Sequence, residues 1–129
     1  MSRLCTLALV FGLVAPATGT AASDEISNPL MVFAACAGRL SAEMEHKWLV
    51  AENPDEVTRQ RAAMIDLVDA IRPPERGREV LARRIEAKFA QAALLQRALF
   101  STDEAEARQA ATLARAARHR CLYLIPQIS

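Results

Sequence analysis

Aromatic residues make up only 5% of this 129-residue chain, glycines number four, and no Gly-x-Ser-x-Gly, Ser-x-x-Lys, glycine-rich phosphate loop or Cys-x-x-Cys-His stretch occurs in it. Each shortage excludes something. Serine nucleophiles on a sharp elbow, nucleotide cradles and covalently attached haem all need one of those motifs. The chain therefore reads as a non-enzyme, and no cofactor is expected. A formal net charge of +1 offers no broad basic footprint for nucleic acid. Few aromatics beside recurrent alanine argue against sheets, because alanine is the best helix former and packs poorly in strands. The expected fold class is all-α.

A long hydrophobic run is also missing. Leu4 to Val14, following Arg3, is an apolar segment of about eleven residues. That is short of the ~20 needed to span a bilayer and within the range of a secretory signal. Residues 1–22 are read as a cleaved signal peptide, with cleavage after Ala17, Ala21 or Ala22. Residues 23–129 are read as one helical domain, periplasmic or secreted, with no integral membrane segment. Cys5 would leave with the signal. Cys36 and Cys121 remain, an even pair without Cys-x-x-Cys spacing, and in an oxidising compartment they read as one disulfide.

What the chain does contain is four helical stretches divided by clear punctuation. Asn28-Pro29 is a cap followed by the residue best suited to the first helical position. At 100° per residue, Leu30, Phe33, Ala34, Ala37, Leu40, Ser41, Met44 and Trp48 form the apolar side of the first helix, with Arg39, Glu43 and His46 opposite. Asn53-Pro54 ends it and opens a second helix to about Ile71, with Val57, Met64, Leu67, Val68 and Ile71 inward. Arg72-Pro73-Pro74 is the strongest break. Beyond it Leu81, Ile85, Phe89, Ala92, Leu95 and Leu99 make the expected inner stripe of a third helix, and Ala87, Ala90 and Ala98 a shallow second side. Ser101 with Glu104 reads as a capping box that starts a fourth helix at Thr102, running to about Ile125. Its inner face is Ala110, Leu113, Ala114, Ala117, Cys121 and Leu124.

Short connections favour an up-down-up-down four-helix bundle, two helical hairpins stapled by the disulfide. In that arrangement Cys36 and Cys121 fall at one end, where Phe33 and Tyr123 should meet, with Trp48 and Phe100 at the other. Asp24 to Arg72 carries nine acids against five bases, and Pro73 onward six acids against ten bases, so the hairpins are oppositely charged.

Chemistry-bearing patterns are sparse. Glu43 and His46 form one Glu-x-x-His, whereas a di-metal bundle needs two such motifs with further carboxylates. Met31, Met44 and Met64 with His46 would suit copper, but they read better as core filler, and no metal ligands are assigned. Arg108, Arg115 and His119, with Arg118 beside them, form an outward strip on the fourth helix that reads either as charge complementing the helix end or as a docking surface for an acidic partner or anionic lipid headgroups. In size and compartment the chain is similar to small exported helical chaperones, although the Leu-Thr-x-x-Gln repeats of one such family are absent. The leading expectation is a non-enzymatic adaptor of the bacterial envelope that binds another envelope protein. A chaperone or small-ligand-binding bundle, and a copper-binding protein, are the alternatives. The small-residue sides of the third and fourth helices would also accept a second copy.

Overall fold

The local signals for helix boundaries act much as their chemistry dictates. In the computed structural model, residues 28–126 are described, so the expected signal segment at 1–22 and Cys5 lie outside the described residues. Four α-helices follow in order: α1 (Pro29–Leu49), α2 (Asp55–Ile71), α3 (Gly77–Phe100) and α4 (Glu104–Leu122), with a 3-10 turn at Pro74–Arg76 before α3. No strand occurs among the described residues. Asn28 Oδ1 accepts from the Leu30 N–H at 3.0 Å, satisfying a donor that a helix start leaves unpaired. Asn53 Oδ1 does the same for Asp55 N–H at 2.7 Å.

α1 stops at Leu49, three residues before the expected end. Ala51 adopts a left-handed conformation with φ of 58°, and Lys47 Nζ pairs with Glu52 Oε2 at 2.8 Å across the turn. The turn at the start of α4 also differs from expectation. Asp103, rather than Ser101, is the cap, with its Oδ1 accepting from the N–H groups of Ala105 and Glu106 at 2.8 and 3.1 Å. Ser101 Oγ instead donates to Glu106 Oε2 at 2.8 Å. An aspartate closer to the helix forms the shorter capping ring and displaces the serine.

α1 is enclosed by the other three helices. It packs most extensively on α3, then on α2, while α3 also packs on α4. The pairing of α1 with α3 is close because both contacting surfaces are small. A Cβ on Gly38 would collide with the Arg84 carbonyl and come within 3.1 Å of the Lys88 nitrogen. Ala34, Ala35, Ala37 and Ala42 of α1 and Ala87 of α3 are buried around that crossing. α1 and α3 run the same way: Leu30 and Met31 cluster with Val80, Gly38 meets Arg84, and Glu43 meets Gln91.

Two clusters form the core. One joins Cys36, Ala37 and Leu40 of α1 to Val57 and Met64 of α2 and Cys121 of α4. The other joins Leu30, Met31 and Ala34 to Val68 and Val80. Burying a side chain such as Leu40 contributes about 1.5 to 3 kcal/mol. The expected disulfide is present: Cys36 and Cys121 are bonded, with Cα atoms 5.4 Å apart.

Several expected faces are corrected. Leu81, Ile85, Phe89 and Leu99, assigned to the inner stripe of the third helix, are exposed, because α3 turns its alanine side to α1. Glu43, assigned to solvent, is buried, since α1 is covered on that side as well. Trp48, Ile71 and Leu113 are exposed rather than inward. Phe33 joins the core, but Tyr123 is 86% exposed, so the two do not form a buried aromatic pair.

Candidate functional site

Arg108, Arg115 and His119, the strip expected on the fourth helix, are all exposed, whereas Arg118 beside them is partly engaged. Arg108 reaches only its neighbour one turn back, Glu104, at 3.3 Å. Arg118 instead turns toward α2, donating to Gln60 Oε1 at 3.4 Å and lying 4.0 Å from Glu56. It belongs partly to the seam between α4 and α2.

Arg115 and Arg118 border a cleft of about 440 Å³ between α1, α3 and α4, with Glu43, His46 and Leu95 on its other sides. Behind it lies a polar junction that sequence reasoning missed. Gln91, only 1% exposed, donates from Nε2 to Glu43 Oε1 at 2.6 Å and to the Ala114 carbonyl at 3.0 Å. One side chain thus ties three helices. Glu43 and Gln91 are separated by 48 positions, and neither residue type signals burial, so no local pattern could have found the pair. His46 is half-buried at this cleft and His119 is exposed. Among the described residues no three His, Cys, Asp or Glu side chains converge as a metal would require.

A second surface comes from α3. Opposite its buried Val80, Ala87 and Gln91, a turn of 100° per residue places Ala82, Ile85, Phe89, Ala93 and Phe100 on the outer side, with Leu81 and Leu99 at one edge. Phe89 is 69% exposed, Leu81 55% and Ile85 46%. Single exposed apolar residues need no explanation, but a contiguous row along one helix does. The Leu81 edge continues into a groove of about 210 Å³ between α3 and α2, floored by Gly38 and Ser41 of α1. Arg61 and Arg84 line this groove, as do Lys88 and Glu45, which pair with each other at 2.6 Å. Arg61 Nε donates to Ser41 Oγ at 2.7 Å and so keeps its charge at the groove wall. The groove is apolar on one side and positive on the other.

A third recess, of about 550 Å³, lies over the disulfide and brings Arg39, Arg83 and Arg120 together. Burial and the nearby Arg120 and Arg83 guanidiniums hold the Arg39 pKa below its ordinary value.

None of the family models, curated proteins or solved structures compared with the chain matches it. Among the described residues no helix is long and apolar enough to cross a membrane.

Proposed function

We propose that the protein is a non-enzymatic binding protein, exported to a bacterial envelope, that docks an amphipathic helix of another envelope protein against the outer side of α3. The observation that carries this reading is the row of exposed Leu81, Ile85 and Phe89 beside a positive groove wall. Complementary charge defines the partner: an apolar stripe flanked by aspartate or glutamate, the stripe on α3 and the acids against Arg61 and Arg84. The disulfide supports export, since such bonds persist in oxidising compartments. The up-down-up-down description of the bundle belongs to the same reading, with the α1–α3 contact as the seam between hairpins.

A photo-crosslinking residue placed at Phe89 in living cells tests it. The expected product is one adduct whose crosslinked peptide, sequenced by mass spectrometry, is helical, apolar and flanked by acids, and which disappears in an Ile85→Glu background. An adduct with a second copy of the chain, with lipid, or with a basic peptide would overturn the proposal, as would no adduct above that seen from Arg108.

A further inference from the structure

The recess over the disulfide gathers charges of one sign beside an apolar floor. Arg39, Arg83 and Arg120 come from three different helices and line one concave surface. Arg83 Nη1 has a partner, Glu86 Oε2 at 2.9 Å, but its Nε is buried with none. Arg39 and Arg120 form no salt bridge among the described residues; Arg39 is half-buried and Arg120 exposed. Three positive charges thus face one carboxylate, and that carboxylate is itself largely exposed. Like charges that line one recess repel, and partial desolvation of Arg39 raises the cost. The rest of the lining is apolar, namely Val32, Ala35, Leu124, the ring of Tyr123 and the Cys36–Cys121 bond. A volume of about 550 Å³ lies within the range of small-molecule sites, about 300 to 1,000 Å³.

An inorganic anion would satisfy the arginines but leave the apolar walls wet, and a neutral hydrocarbon would do the reverse. An anionic head on an apolar chain answers both. We propose that this recess binds a long-chain carboxylate, its head held by Arg39, Arg83 and Arg120 and its hydrocarbon laid along Val32, Ala35 and Leu124 over the disulfide. Arginine suits the head because its planar fork donates two parallel hydrogen bonds to a carboxylate. The site lies on residues separate from those of α3 proposed to dock a partner.

Titration calorimetry on the purified, disulfide-bonded protein tests this with dodecanoate as the probe. Dodecanoate is expected to bind at one site, while dodecanol and inorganic phosphate, each supplying half of the chemistry, bind at least tenfold more weakly. Arg39→Gln and Arg120→Gln should each weaken dodecanoate about tenfold, the loss expected for a hydrogen bond to a charged group. Arg108→Gln, on the exposed part of α4, should leave it unchanged. A second readout separates binding from structure. Because the arginines repel one another, Arg120→Gln should keep or raise the thermal midpoint measured without ligand. Equal binding of dodecanol, tight binding of phosphate alone, or dodecanoate affinity indifferent to both arginines would overturn the proposal. So would a loss of affinity matched by a lowered ligand-free midpoint, which would make these arginines part of the fold rather than of a site.

Discussion

α1 and α3 lie against each other in the same direction, yet they use their residues in opposite ways. α1 is buried over most of Leu30–Glu43, although four of those residues are alanine and one is glycine. α3 carries the larger apolar side chains but turns Val80, Ala87 and Gln91 inward and leaves Leu81, Ile85 and Phe89 in solvent. Size therefore does not decide which residues make this core. Small residues let backbones approach, and the gain from many short-range contacts along the crossing outweighs what a few larger side chains would add at greater separation. The larger residues are left free for a partner.

That contrast can be broken from the side of α1. Removing the disulfide, by Cys36→Ser with Cys121→Ser, should have the largest effect, because the bond closes a loop with a sequence separation of 85. The chain-entropy model gives about 4 to 5 kcal/mol for a loop of this length. A fall in thermal midpoint on the order of 20 °C is expected, read by circular dichroism. Gln91→Leu should come next, at about 3 kcal/mol, since it fits the volume but leaves the buried Glu43 carboxylate and the Ala114 carbonyl without their donor. Gly38→Ala should cost about 2 kcal/mol by overpacking against the backbone of Arg84 and Lys88. In a solvated helix the same change would gain about 0.5 to 1 kcal/mol, so a measured loss identifies the helix crossing as the cause.

On the side of α3, Phe89→Ser should change stability by less than about 0.5 kcal/mol, because the ring is already in water. A large loss there would mean that the outer side of α3 supports the fold. The smallest effect concerns pH. A hydrogen bond from Lys47, and then its charge, hold the Glu52 carboxyl below the ordinary value. Its contribution is present above the unfolded-state pKa and is lost as pH falls through the folded one. In an NMR titration the Glu52 carboxyl shift should therefore move at lower pH than those of unpaired glutamates, and Lys47→Met should remove the difference.

Much of the fold was legible because its signals are local. Asn28-Pro29, Asn53-Pro54 and Arg72-Pro73 each act within a few residues, and the helices begin or end beside them. The Cys36–Cys121 bond followed from the parity of the cysteines and the compartment expected for them. The faces were less legible. Periodicity finds an apolar stripe on α3 but cannot say whether the stripe meets α1 or water, and here the alanine side won. The arginine recess draws on α1, α3 and α4 at once, so Arg39, Arg83 and Arg120 carry no shared pattern along the chain. The partner of Arg118 was hidden for a related reason: it is Gln60 across the seam, 58 positions away.

The disulfide also changes what damage means for this molecule. Its two ends lie in α1 and α4, so the turns at 50–54, 72–76 and 101–103 all fall within the covalent ring it closes. A protease that cuts any one of them converts the ring to an open chain without releasing a fragment. Both pieces stay tethered at the centre of the core, close enough to re-form their contacts. Under oxidising conditions a nicked molecule would keep its mass, apart from one added water, and come apart only when reduced.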